Sequence, residues 1–175
     1  MINIEKDELI PRHSWRDAAI MFPKLLAPYS REEPVVIDVL IDDFWVNEMY
    51  TDTGSEVDIL YAHCLSQIPK CVSRKMRQSN SIIFGFTGST EEPMEKLKAT
   101  VTVGTPPYLR SEIIDFYIVK SVTATNVILG RNFFRKLGVI ASTAHGLLKF
   151  LTRQGLEIVE STRHPLPGEE NTQTR

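Results

Sequence analysis

The residues best suited to chemistry are Asp52-Thr53-Gly54-Ser55. The motif directly follows a β-rich run and precedes the apolar residues Val57, Ile59, Leu60 and Tyr61. A carboxylate at a strand end can take or give a proton, and the neighbouring glycine lets a water or a peptide come close to the backbone. The same four residues also suit an Asx-type turn with a purely structural role. The triplet alone does not choose between the two.

Other constellations carry less. The four histidines (His13, His63, His145, His164) are scattered and form no metal-ligand pattern with Cys or Asp. His63 and Cys64 are neighbours on a predicted helix, so they point in different directions and do not suggest a thiol protease. Cys64 reads as a core cysteine. With Cys71 it makes only two cysteines, too few for a disulfide framework or a four-thiolate zinc site. No Gly-rich phosphate loop occurs, and the basic run Arg74-Lys75-Met76-Arg77 reads as a solvated face between elements. No cofactor and no metal are expected.

The elements that must position Asp52 are strands. Residues 35–41 and 44–50 flank Asp42-Asp43 as a hairpin. Leu97, Ala99, Val101 and Val103 alternate with Lys98, Thr100 and Thr102, the period of a half-buried strand, which Gly104 and Pro106-Pro107 end. Further strands are predicted at 112–119 and at Val127-Ile128-Leu129, the latter closed by Gly130. Residues 131–137 have helical composition and stop at Gly138. Two strands follow near 139–143 and 147–151, turning at His145-Gly146, and a last one covers 156–159. Many short strands and at most two short helices predict a mostly β, barrel-like domain.

The order of features adds a second line. After the hairpin and Asp52-Thr53-Gly54-Ser55 with Asp58-Ile59-Leu60-Tyr61 comes the tip Phe84-Gly85-Phe86-Thr87-Gly88, then Ile128-Leu129-Gly130-Arg131, then Ala141-Ser142-Thr143-Ala144-His145 through Lys149-Phe150. This series, over about residues 34–160, resembles the retropepsin-like aspartic proteases, and more narrowly the protease segment of plant gypsy-type long-terminal-repeat retrotransposon polyproteins. The resemblance implies a closed β-barrel with one or two short helices, acting as a twofold dimer. Asp52 of each copy would form a catalytic pair close enough to share one proton. Thr53 would brace that pair, and Gly54 would set its backbone beside substrate. Ser55, Phe84, Gly85, Phe86, Thr87 and Gly88 would contact substrate, the last five on a flap near 84–93. Gly130 and Arg131 would support the site, with Glu56 and Arg131 as a bidentate pair tying the catalytic loop to the helix. Asp-Thr-Gly occurs once, so the second aspartate must come from another copy of the chain.

The expected activity is an aspartic endopeptidase that processes a retroelement polyprotein, its substrate a polypeptide. Thr51, Glu56 and Glu95 differ from the family pattern, and the alternative reading is a catalytically silent, retroelement-derived dimerisation module. An unrelated small β-domain that binds a ligand is a third. Composition sets the frame. At 175 residues, 42% apolar and 24% charged, the chain has one domain's worth of core. A net charge of −2 gives no field for nucleic acid, and no apolar run is long enough for a membrane span. The polar, acidic start and the lack of a glycosylation acceptor point to an intracellular setting, the cytoplasm or retroelement particles. Residues 1–33 read as a linker or polyprotein flank, 34–160 as the protease domain and 161–175 as a disordered tail.

Overall fold

The computed structural model describes residues 20–24, 34–66, 68–69, 72, 74–85, 88–121 and 123–163. The rest of the expected flank and tail, with Cys71, Phe86 and Thr87, lies outside the described residues. The chain is a mostly β structure built on a closed barrel.

The barrel strands are β1 (Val36–Ile41), β2 (Phe44–Thr51), β3 (Asp58–Tyr61), β7 (Glu95–Val103), β8 (Arg110–Val119) and β9 (Val127–Leu129). They pair in the order β1-β2-β9-β3-β8-β7, and β7 returns to β1 through Leu40↔Thr102 and Ile41↔Val101. The first half of β7 instead carries β4 (Met76–Gln78), so one long strand serves both the barrel and an extra edge. Closure removes free edges that would otherwise invite pairing with other chains. A two-stranded hairpin, β5 (Ile83–Phe84) with β6 (Thr90–Glu91), stands apart from the barrel sheet.

The β1–β2 hairpin turns at Asp42 and Asp43, with φ of 45° and 71°. A two-residue hairpin turn of the I′ type needs positive φ at both positions, and Asp is among the few side chains that accept it. Asp42 is then fixed from β7. Its N–H donates to Thr100 O (2.9 Å), the Thr100 N–H donates to its Oδ1 (2.9 Å), and Lys75 Nζ reaches its Oδ2 (2.8 Å). Partial burial pushes the Asp42 carboxyl up. The hydrogen bonds from Lys75 and Thr100 and the Lys75 charge outweigh it, and the net shift is downward. The basic run is therefore not a plain solvated face: Lys75 holds the hairpin, and Met76 and Arg77 open β4.

Farther along the hairpin, pairing slips between Ile37↔Met49 and Val39↔Val46. Asn47 and Glu48 form a bulge in which Glu48 takes φ 56° and donates its N–H to Asp38 Oδ1 at 2.9 Å. The bulge sets the inward positions of β2 at Val46, Met49 and Thr51 rather than on strict alternation.

The core fills the barrel with Ile37, Ile41, Met49, Leu60, Leu97, Ile114, Phe116, Ile118 and Leu129, all fully buried. Phe133 and Leu137 add one face of helix α1 (Arg131–Leu137). Each such side chain contributes about 1.5–3 kcal/mol through removal from water. Helix α1 ends at Gly138 in the left-handed region (φ 61°, ψ 35°), the expected stop. Beyond it β10 (Ile140–Ser142), β11 (Leu147–Thr152) and β12 (Gly155–Glu160) form a separate antiparallel sheet that sends Leu148 and Phe150 into the core. Arg110 joins the layers by donating to Lys136 O (3.2 Å) at the end of α1 and to Leu151 O (3.1 Å) on β11.

Residues 161–163 continue the ordered structure past the expected tail boundary. Ser161 Oγ accepts the Val36 N–H (3.1 Å), and the Thr162 N–H donates to Val36 O (2.8 Å). The end of β12 is thereby bound to the start of β1.

Candidate active site

Strands β2 and β9 run parallel as neighbours, with Thr51 opposite Leu129. Asp52 and Gly130 therefore emerge side by side at the same end of the barrel. Thr51 anchors the loop: its N–H and its hydroxyl both donate to Val35 O, at 3.0 and 2.8 Å. The Asp52 N–H continues the ladder to Leu129 O at 2.9 Å. A hydroxyl residue at 51 thus makes a second bond in a place where an apolar one would only pack.

The Asp52 carboxylate is exposed. Its Oδ1 accepts the Gly54 N–H at 2.8 Å, and the Ser55 N–H donates to Asp52 O at 3.2 Å. That is the Asx-type turn allowed by the sequence, and it does not exclude chemistry. The turn fixes one oxygen, while Oδ2 takes no hydrogen bond from the described residues. Thr53 and Gly54 are exposed beside it. The Ser55 hydroxyl donates to Val57 O (2.7 Å) and closes the loop, so this donor is turned inward.

The loop is locked to α1 through backbone and a buried carboxylate. The Arg131 N–H donates to Ser55 O at 2.8 Å. A Cβ at Gly130 would collide with Val57 O and come within 2.9 Å of Ser55 O, so only glycine fits. Asp58, with no exposed surface, accepts the Gly130 N–H (2.7 Å), Asn132 Nδ2 (2.7 Å) and the Phe133 N–H (3.3 Å). Burial raises its carboxyl to about 6, against the lowering pull of those three donors. Sequence reasoning missed this role. Its signal was a carboxylate inside an apolar stretch, six residues after Asp52.

The expected Glu56–Arg131 pair is loose. One Arg131 nitrogen lies 3.9 Å from one Glu56 oxygen, with the side chains 59% and 85% exposed. No bidentate geometry forms, because both heads stand in water, where such a pair gains little. Asp58 makes the tie expected of that pair. Between α1 and β8 an open groove of about 800 Å³ is lined by Glu56, Asp58, Asp115, Tyr117, Arg131 and Asn132 among others.

The segment expected to form a flap contains the hairpin β5–β6. The Gly85 N–H donates to Ser89 O (2.7 Å) and the Gly88 N–H to Gly85 O (3.0 Å), forming the tip. Phe84 is 73% exposed at its base. Of the other groups weighed from sequence, His63 and Cys64 sit on a 3-10 helix (Ala62–Ser66). Cys64 Sγ lies against Asn126 Oδ1 (3.1 Å), and burial pushes the thiol up to about 11, unsuited to a nucleophile. Among the described residues no three His, Cys, Asp or Glu side chains converge, and no helix is long and apolar enough to cross a membrane.

No protein-family model matches the chain, and no curated protein matches it. Among solved structures the chain is similar to the retroviral protease-like domain of Ddi1 from Leishmania major, with a TM-score of 0.52 and 12% sequence identity. The match covers 76% of this chain and 99% of that domain. At this identity the likeness is one of fold: a retropepsin-like closed β-barrel.

Proposed function

We propose that the chain is an aspartic endopeptidase whose catalytic pair is Asp52 from each of two copies in a homodimer. The observation that carries this reading is the placement of Asp52: an exposed carboxylate, one oxygen fixed by the Gly54 N–H at 2.8 Å, beside Gly130 in a retropepsin-like barrel. A single Asp-Thr-Gly per chain makes the second copy a condition of activity. The free edges of the β10-β11-β12 sheet, unpaired among the described residues, support association.

In this mechanism the two carboxylates hold one proton between them. The ionised member takes a proton from a bound water as that water attacks the scissile carbonyl. The protonated member hydrogen-bonds the carbonyl oxygen and delivers its proton as the tetrahedral intermediate forms. Thr53 braces the pair, and Gly54, Ser55 and the flap residues 84–88 line the substrate. Residues 34–160 form the protease domain, and the biological substrate is a retroelement polyprotein of the plant gypsy type, including the chain's own flanks.

The test is cleavage of a diverse peptide mixture from about pH 4 to 7, with the wild-type chain and Asp52→Asn compared. Cleavage that disappears in the variant supports the proposal. No cleavage by either chain, at concentrations where sedimentation gives a dimer, leaves the silent dimerisation module.

A further inference from the structure

We propose that the outer face of the C-terminal sheet carries a peptide-binding site, separate from Asp52, whose ligand is residues 21–23 of the same chain. The site is built on β11 and the turn before it. Lys149 lies in the middle of the sheet face and is only 6% exposed. Its cross-strand neighbours, Ile140 on β10 and Ile158 on β12, offer no carboxylate. A buried ammonium needs acceptors. Among the described residues Lys149 finds them on the upstream segment: Nζ donates to Met21 O at 2.6 Å and lies 4.9 Å from the centre of the Phe22 ring.

His145 supplies the other half. Its Nε2 stands 2.8 Å from Pro23 O, and its Nδ1 stands 2.6 Å from Ser142 Oγ. A carbonyl only accepts, so Nε2 carries the proton and donates it to Pro23 O. In the neutral ring Nδ1 then accepts from the Ser142 hydroxyl, which fixes both tautomer and ring plane. Phe22 stacks on that ring at 5.1 Å and 30°. The phenyl thus contacts both imidazole and ammonium, and the carbonyls on either side of it in sequence are each taken by one of those groups.

The ligand chemistry follows from these contacts. The site reads a main-chain carbonyl, an aromatic ring and a second main-chain carbonyl in register. Pro23 suits the last position for two reasons. It has no N–H to leave unsatisfied, and it restrains the preceding residue, Phe22, to extended backbone before docking. The site takes an extended aromatic-Pro segment, held in cis, and so ties the upstream flank to the C-terminal sheet.

The test is limited trypsin digestion of the full chain, following cleavage after Lys24 by intact mass. Docking keeps this bond from the protease, so Phe22→Ala and Lys149→Met should each speed its cleavage by about tenfold, in proportion to the undocked population. Lys149→Arg, which keeps a cation and donors, should stay near the wild-type rate. Phe22→Ala changes only the ligand segment and leaves the sheet intact, so it decides the matter even where Lys149→Met disturbs folding. Equal rates for wild type and Phe22→Ala would overturn the site. Protection that rises with chain concentration would overturn the cis assignment, because the segment would then come from another copy.

Discussion

The Asp58 carboxylate accepts the Gly130 N–H at 2.7 Å from a fully buried position, seventy-two residues away in sequence. This bond joins the strand after the Asp52 loop to the start of α1. With the Arg131 N–H on Ser55 O, it makes the Asp52 loop and the helix one body. The loop is therefore tied to the helix by a buried carboxylate, while Asp52 itself stays exposed.

Asp58 should leave a pH signature on stability. Its folded-state value of about 6 stands above the ordinary 3.8, so the native chain binds this proton more tightly than the unfolded one. The contribution is complete below the unfolded value and is lost as pH rises through the folded one. The gap corresponds to about 3 kcal/mol at most. Asp58→Asn keeps an acceptor for Gly130 and cannot titrate. Urea unfolding of both chains at pH 4 and 7 should show wild type losing about 1–3 kcal/mol relative to the variant over that interval. A difference that stays flat, or moves in favour of wild type, contradicts the assignment.

Gly130→Ala should be costly without touching any charge. The added methyl meets the Val57 carbonyl and the Ser55 oxygen, both backbone and both already held by the loop. Neither can yield as a flexible side chain would. We expect a loss of about 2–3 kcal/mol in unfolding free energy, as for overpacked cores. Gly88→Ala, at a position with open space around it but φ of 81°, should cost only about 1 kcal/mol of backbone strain. If chemical denaturation ranks the two variants in the opposite order, the close packing at Gly130 is not what holds the loop.

Much of this was readable from the residues. The alternation of Leu97, Ala99, Val101 and Val103 gives β7 and its inward face, and Asp42-Asp43 gives the first hairpin, because both signals are local. The place of Asp52 beside Gly130 came from the order of motifs and is matched by the pairing of β2 with β9. What was not legible depends on partners far away. The inward set of β2 breaks its period at a bulge held by Asp38. Asp58 looks like an interruption in an apolar strand until Gly130 and Asn132 arrive. Glu56 and Arg131 carry the right charges at the expected positions, but only the fold shows that both heads stay exposed and meet at 3.9 Å. Residues 161–163 have a tail's composition, and they are ordered because Val36 offers both a donor and an acceptor.

The hairpin turn offers a second electrostatic test, of opposite sign. Asp42 has its carboxyl lowered by Lys75 and Thr100, so its contribution is present above the ordinary carboxylate value and fades as pH falls through the lower, folded-state one. Lys75 is half exposed, which limits the pair to about 0.5–1 kcal/mol. A double-mutant cycle of Asp42→Asn with Lys75→Met should return that coupling at neutral pH. It should shrink in about 1 M salt, where screening acts within a few ångströms. A coupling that survives high salt unchanged would mean that packing, not charge, links the turn to β4.

Asp52→Asn should separate chemistry from stability. Asparagine keeps the oxygen that accepts the Gly54 N–H and tolerates the same turn, and the position is exposed, so nothing buried loses a partner. Its unfolding free energy should match wild type within about 0.5 kcal/mol. Under the proposed mechanism the same change removes the group that takes the proton from water, and peptide cleavage should fall by at least about a hundredfold. The two measurements belong together on one preparation. A variant as stable as wild type but inactive assigns Asp52 to the reaction. A variant that has lost both leaves the carboxylate only the role of closing its own turn. A variant that keeps both properties removes Asp52 from the chemistry and leaves the barrel without the pair on which an aspartic protease depends.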